Sequence, residues 1–241
     1  MRNDLNDILK KCPRQHSLDW FRARIGRFTG SQVGRLMKSG RGKDDYFSKD
    51  ALTYIAEIAS ERLLNPSVLI DDDLFEDYLA QTTTSNKHTA WGNDQEPNAK
   101  DLYCSINRRN VTSCGCLEWS QWWFADSPDG LAIEDNGCIE IKSPLQKTHT
   151  EYMLNVSDAE SLKAYKPEYY WQVMAHLTVT GADWCDWMSY CPFSQKPLHV
   201  VRINRNDDDI ALMLERVNRA NELATEMVTK VRTLKPAECH K

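Results

Sequence analysis

No apolar run in this 241-residue chain approaches the ~20 residues that a membrane-spanning helix needs, so a helical span is excluded. The stretch from Met1 to Lys11 lacks the apolar block of a signal peptide, and a soluble, cytoplasmic chain is expected. Glycine and proline are scattered, ten and nine residues respectively, with no Pro- or Gly-rich linker and no internal repeat. One domain over residues 1–241 with one substantial core follows. Zinc-type spacings are missing as well. The eight cysteines include no Cys-x-x-Cys, Cys114-Gly115-Cys116 being the only close pair, and the six histidines show no His-x-x-x-His. Reduced, partly buried thiols are expected.

An excess of positive charge is also absent. The 30 Lys and Arg face 35 Asp and Glu, a net charge of −5, which by itself argues against a nucleic-acid partner. A local absence argues the other way. Between Trp20 and Lys43 there is no Asp or Glu, while Arg22, Arg24, Arg27, Arg35, Lys38, Arg41 and Lys43 all lie there. Such a stretch can follow a phosphate backbone; the competing reading is a solvated basic helix face with a mobile loop at Ser39-Gly40-Arg41-Gly42. Ser31 reads as the N-cap of a helix through Val33, Leu36 and Met37, and a helix N-terminus also favours an anion.

The most informative residues present are Ser127-Pro128-Asp129-Gly130-Leu131, followed after a short turn by Cys138-Ile139-Glu140-Ile141-Lys142. Leu131–Ile133 and Gly137–Ser143 read as two strands joined through Asn136-Gly137. Alternation puts Glu140 and Lys142 on one face, Ile139 and Ile141 on the other. A two-residue Asn-Gly loop sets Ile133 opposite Glu140, and a four-residue loop from Glu134 sets Leu131 there; both place Asp129 on the Glu140 face. Asp129, Glu140 and the Ile141 backbone carbonyl then offer the hard oxygen ligands that Mg²⁺ or Mn²⁺ takes, with Lys142 beside them for a phosphate or a water. Glu-Ile-Lys alone equally describes the solvent face of an edge strand.

Coupled to the Pro-Asp dipeptide, the pattern resembles the core of the PD-(D/E)xK nuclease superfamily. Further blocks narrow the resemblance: Asp19-Trp20-Phe21-Arg22-Ala23-Arg24-Ile25-Gly26 with Phe28-Thr29-Gly30-Ser31, Trp91-Gly92-Asn93-Asp94-Gln95-Glu96, and Tyr170-Trp171-Gln172-Val173-Met174 through Val179-Thr180-Gly181. Gly30 stands where such blocks carry alanine, and Met174 where a second glutamine is common. From about residue 19 to about 181 the chain resembles the lambda exonuclease, or YqaJ-type viral recombinase, family.

The resemblance implies an α/β fold with a restriction-endonuclease-like core, a central mixed β-sheet flanked by helices. Its parts would be a basic DNA-binding segment at about 19–43, a catalytic core at about 91–203 and a C-terminal helix at about 208–231. It implies that Glu96 is an active-site carboxylate and further candidate ligand, that Gln172 orients water or substrate, and that Arg24, Ser31 and Ser127 hold a terminal 5′-phosphate. Ser31 would cap, bind phosphate, or do both. Two Mg²⁺ ions, replaceable by Mn²⁺, are implied as cofactors. The implied activity is 5′→3′ resection of linear double-stranded DNA, leaving 3′ single strands for a single-strand annealing protein. A ring-shaped homo-oligomer in the cytoplasm of a bacterial host is implied with it. A nuclease of other polarity or endonucleolytic habit, and a catalytically silent DNA-end-binding module, are the alternatives; the intact Asp129, Glu140 and Lys142 argue against the latter. Some nucleases of this core hold an iron–sulfur cluster, but Cys12, Cys185, Cys191 and Cys239 lack the compact C-terminal spacing that one needs.

The remaining segments read as scaffold. A helix runs from Asp50 through Leu63 to Asn65-Pro66, residues 66–90 form an irregular or partly helical connection, and Glu96 lies on a helix at 93–104. Strands are expected near 110–118, 121–126, 185–191 and 198–203. Asp71-Asp72-Asp73 and Asp207-Asp208-Asp209 are read as helix capping and macrodipole complementation, His176 as a packing residue, and at least one ring of Trp122-Trp123-Phe124 as buried.

Overall fold

The computed structural model describes residues 12–42, 45–82 and 87–234. In chain order these contain α1 (Leu18–Arg22), β1 (Phe28–Thr29), α2 (Gly30–Leu36), α3 (Lys49–Glu61), α4 (Pro66–Ile70), α5 (Asp72–Thr82) and α6 (Lys87–Asn107). There follow β2 (Leu117–Glu118), β3 (Phe124–Asp126), β4 (Gly130–Ala132), β5 (Gly137–Lys142), α7 (Gln146–Asn155), α8 (Ala159–Tyr165) and α9 (Pro167–Thr180). The last are β6 (Trp184–Tyr190), β7 (Leu198–Asn204) and α10 (Asp207–Arg232).

The strands form two mixed sheets, ordered β1-β3-β2 and β4-β5-β6-β7, rather than the one central sheet expected. The break falls at Ser127-Pro128-Asp129, between β3 and β4, where proline has no N–H to give a ladder. In the larger sheet β5 pairs antiparallel with β4 and parallel with β6. It is therefore an interior strand, and Glu140 is only 2% exposed. That excludes the solvent-face alternative. Ile139 and Ile141 pack with Ala99 and Tyr103 of α6 in one apolar cluster, while Cys138 belongs to the larger core on the other face, with Val173 and Leu177 of α9.

The hairpin adopts neither expected register. Ile133–Asp135 form a 3₁₀ turn, Asn136 takes the left-handed conformation (φ 50°, ψ 48°), and Gly137 already pairs with Ala132. The loop moves because Gly137 is needed in the strand: a Cβ there would overlap the Trp184 indole on β6. Gly130 pairs with Ile139, so the pairing has slipped by an even number of residues relative to both expectations and keeps every side chain on its face.

Helix α9 begins with Pro167 at its first turn and ends at the left-handed Gly181. It is buried from Tyr170 to Leu177, including Gln172 and His176, one turn apart, and Met174 lies in the apolar core. Ser31 is not the N-cap of α2. Thr29 occupies that position and Ser31 lies in the first turn. Residues 66–82 are helical, as α4 and α5, and the helix carrying Glu96 extends over residues 87–107. The expected strands at 110–118 and 121–126 shorten to β2 and β3. Asp71 caps the following helix through the Leu74 N–H (3.0 Å), but α10 is capped by Asn206, leaving Asp207–Asp209 in its first turn. Phe124 is fully buried and Trp122 is 54% exposed. Cys114, Cys116, Cys138, Cys185 and Cys191 are buried free thiols, and Cys239 lies outside the described residues.

Two Gly→Ala substitutions should therefore differ in sign. Gly137→Ala collides with Trp184 and should cost about 1–3 kcal/mol, whereas Gly92→Ala, with nothing near its Cβ and inside α6, should stabilise by about 0.5–1 kcal/mol. Urea unfolding midpoints at constant m-value measure both; equal midpoints would refute the register.

Candidate active site

A cleft of about 510 Å³ opens at the C-terminal end of β5. Asp126, Glu140 and Lys142 line it from the sheets, Ser127 and Asp129 from the segment between β3 and β4, Tyr169 and Gln172 from α9, Asn93 and Glu96 from α6, and Trp20, Arg24 and Ser31 from the N-terminal segment. All five residues proposed for chemistry and all three proposed for phosphate thus meet in one cavity.

Asp129 follows the hairpin pairing on the Glu140 face, and its Oδ2 accepts the Ile141 N–H at 2.6 Å. Lys142 Nζ donates to Glu140 Oε1 and, at 3.0 Å, to Gln172 Oε1, and lies 4.6 Å from the centre of the Tyr169 ring. The other Glu140 oxygen meets His176 Nε2 at 2.7 Å, and His176 Nδ1 meets Asp126 Oδ2 at 2.6 Å. His176 is consequently not a packing residue. It bridges two buried carboxylates.

The electrostatics follow from these contacts. Burial pushes the Glu140 carboxyl up, but Lys142 and His176 outweigh it and hold the pKa down to about 2. Burial pushes Lys142 down, but Glu140, Tyr169 and Asp129 leave it raised. His176 is likewise held well above the usual histidine range, because Asp126 and Glu140 outweigh its burial. Asp129 goes the other way. Burial, then Glu140 and Glu96, push its carboxyl well above the usual range, and Lys142 and the Ile141 N–H offset them only in part.

The three residues expected to hold a phosphate also meet. Arg24 reaches Ser127 Oγ and Ser31 Oγ at 3.4 Å each, with its guanidinium 4.3 Å from the Trp20 ring centre, and Trp20 Nε1 donates to Ser127 Oγ at 2.9 Å. Neighbouring basic residues are already paired with surface carboxylates of the chain. Arg22 pairs with Asp72 and Asp19, Arg27 with Glu118 at 2.6 Å, and Arg35 with Asp50 and Glu57 at 3.0 and 2.8 Å. Lys38 and Arg41 are exposed, and Lys43 lies outside the described residues.

Two participants carry little signal in the sequence. Asp126 closes the apolar strand Phe124-Ala125-Asp126, and an acid in a buried strand was its only signal. Lys100 donates to the Asp129 carbonyl at 2.7 Å and to Ser113 Oγ at 3.2 Å, and its i,i+4 spacing from Glu96 was legible.

Among the described residues no group of three or more His, Cys, Asp or Glu converges closely enough to hold a metal ion. Lys142 and His176 take both Glu140 oxygens, and Ile141 takes one of Asp129. The donor set nonetheless fits a hard divalent cation. Asp129, Glu140 and Glu96 supply oxygen only, and the raised Asp129 records a local excess of negative charge that a cation would relieve.

A family model described as the YqaJ-like viral recombinase domain matches residues 19–183. An alkaline exonuclease from Laribacter hongkongensis superposes with a TM-score of 0.71 at 27% identity, covering 90% of this chain and 96% of that one; its complex with dAMP matches equally. A phage-related exonuclease from Haemophilus somnus 129PT, 14% identical, shares the fold with a TM-score of 0.65 over 85% of this chain and 96% of its own. Comparison with curated proteins finds no match.

Because folding raises the Asp129 pKa, its ionisation costs stability as pH rises above the unfolded value of ~3.9. Asp129→Asn keeps an acceptor for the Ile141 N–H and removes that cost. In metal-free buffer the variant should melt above wild type at neutral pH, the gap shrinking as the pH is lowered toward the unfolded carboxylate value. Equal melting temperatures at the higher pH would contradict the carboxylate crowding.

Proposed function

Since the chain belongs to the YqaJ-like viral recombinase family and has the lambda-exonuclease-like PD-(D/E)xK nuclease fold, we propose that it is a Mg²⁺-dependent exonuclease resecting linear double-stranded DNA 5′→3′. The 3′ single strands left behind would pass to a single-strand annealing protein in recombination. The reading extends to one nuclease domain, a ring-shaped homo-oligomer and the cytoplasm of a bacterial host; among the described residues no helix is long and apolar enough to cross a membrane.

One observation carries this reading: Ser127 and Asp129, two residues apart on the segment between β3 and β4, belong to the proposed phosphate trio and the carboxylate cluster of the same cleft. Two residues span at most about 7 Å. A phosphate held at Arg24, Ser31 and Ser127 and a bond presented to Asp129 and Glu140 are then neighbours on one strand, which is what removal of terminal nucleotides requires. The relative solved with dAMP holds a nucleoside monophosphate, the kind of product such stepwise removal releases.

Asp129, Glu140 and the Ile141 carbonyl would hold the cation, two ions in all, with Glu96 completing the inner or outer shell; Mn²⁺ would substitute for Mg²⁺. When bound, the metal supplies Lewis-acid activation of water and neutralises phosphoryl charge. Lys142, raised above its ordinary pKa, stays cationic and donates hydrogen bonds. It positions the attacking water and stabilises developing phosphorane charge rather than acting as a base. Gln172, bonded to Lys142, sets the direction of that ammonium. Lys38, Arg41 and Lys43 would contact the DNA backbone beyond the cleft, while Arg22, Arg27 and Arg35 would do so only by exchanging their carboxylate partners for phosphates.

Linear duplex labelled separately at each end, beside closed circular DNA, tests the proposal. Mg²⁺-dependent release from 5′-phosphorylated ends is expected, reduced by at least about 10²–10³-fold in Glu140→Gln or Lys142→Ala. Arg24→Ala should lower the preference for 5′-phosphate over 5′-hydroxyl ends about tenfold or more, as loss of a charged hydrogen bond does. Cutting of circles, or release from 3′ ends, would reject the exonuclease reading; no cutting would leave a DNA-end-binding module.

A further inference from the structure

Asp126 ends β3 in the smaller sheet, and Glu140 sits on β5 in the larger one. Among the described residues no strand pairing joins these two sheets. His176 of α9 lies between the two acids, 0% exposed, with ring contacts of 2.6 and 2.7 Å. The remaining Asp126 oxygen accepts the Ser127 N–H at 2.8 Å. A continuous hydrogen-bonded chain thus runs from the Ser127 backbone through Asp126, His176 and Glu140 to Lys142.

The arrangement demands a particular side chain. Both ring nitrogens face carboxylate oxygens, and only a doubly protonated imidazole donates at both. It also demands space. A Cβ on Gly30, the first residue of α2, would overlap all three carboxylate atoms of Asp126. Asp126 can take this orientation because residue 30 has no side chain.

We propose that His176 is a positioning residue which, with Asp126 and in the room left by Gly30, locks the Glu140 carboxylate to the segment carrying the phosphate anchor Ser127. The inference rests on the reading of Glu140 as a cation ligand and deepens it. The proper seating of a 5′-phosphate at Ser127 and the proper aim of Glu140 become one condition, since the same rigid chain holds both. Groups that orient a ligand in this way commonly contribute 10- to 100-fold in metal affinity, about.

The test measures Mn²⁺ binding to DNA-free protein by electron paramagnetic resonance, together with the rate ratio for 5′-phosphate over 5′-hydroxyl duplex ends. The variants are His176→Gln, which keeps only one donor at a time, and Gly30→Ala, which disturbs Asp126 from outside the chain of bonds. His149→Gln is the control, because His149 is another fully buried histidine bonded at both ring nitrogens, to Ser189 Oγ at 2.7 Å and the Lys196 carbonyl at 2.8 Å. The expected result is Mn²⁺ affinity about tenfold or more lower in His176→Gln and Gly30→Ala, with a smaller end-discrimination ratio. His149→Gln should lose melting temperature without losing either. Wild-type Mn²⁺ affinity in Gly30→Ala and in folded His176→Gln would overturn the positioning role and leave the cation reading standing. Equal losses in His149→Gln would overturn it too, as a general effect of a weakened core. Failure of the wild-type protein to bind Mn²⁺ would overturn the cation reading and this inference together. If His176→Gln does not fold, Gly30→Ala decides.

Discussion

A carboxylate at 2% exposure is the constraint around which this protein is arranged. An isolated buried ion costs several kcal/mol, and Glu140 meets that cost with a cation on each oxygen, Lys142 and His176. Those cations need support of their own. Lys142 finds it in Gln172 and Tyr169, and His176 in Asp126. Helix α9 must therefore present two polar side chains one turn apart while packing apolar residues around the rest of its circumference. The interior position of β5 and the enclosure of α9 between the sheets and α2 both serve that requirement.

The same cluster is short of positive charge. Two acids pair with Lys142 and His176, but Asp129 is left facing Glu140 and Glu96 with its pKa raised. Such stored repulsion is destabilising by itself, and perturbed carboxylates in a cleft are characteristic of functional sites. The N-terminal basic segment answers a different need. Arg22, Arg27 and Arg35 are spent on ion pairs with α5, β2 and α3. Exposed pairs of this kind contribute only about 0–1 kcal/mol each, so their effect is to orient the segment. Arg24 is thereby delivered to Ser31 and Ser127 over the Trp20 ring, and an acidic chain presents one guanidinium and two hydroxyls together in the cleft.

Much of the site could be read without coordinates because its governing rule is local. Strand alternation has period two, so any even slip leaves Asp129, Glu140 and Lys142 on one face, and the face was predicted although the loop was not. The loop depended on Trp184, more than forty residues downstream, whose indole occupies the space beside Gly137. The Thr29-Gly30-Ser31 block shows the same limit. Glycine in place of alanine is visible in the chain, but its reason is the Asp126 carboxylate beside it, nearly a hundred residues away. Ser31 was displaced from the cap position by one turn-opening residue, Thr29, yet still reached Arg24.

The sequence by itself determined the strand–turn–strand pattern with its acidic and basic face, the local excess of arginine, the long C-terminal helix and the family. Each of these depends on residues within a few positions of one another, where covalent geometry and hydrophobic period act directly. The tertiary structure alone decided that the sheet is split at Pro128, that Arg22, Arg27 and Arg35 face their own acids, and that His176 joins Asp126 to Glu140. A histidine inside an apolar helix reads as packing until its neighbours are known. Asp126 and Glu140 reach it from different sheets, and the proximity of residues 50 and 36 positions away is set by how helices and sheets fill space, which no local pattern encodes.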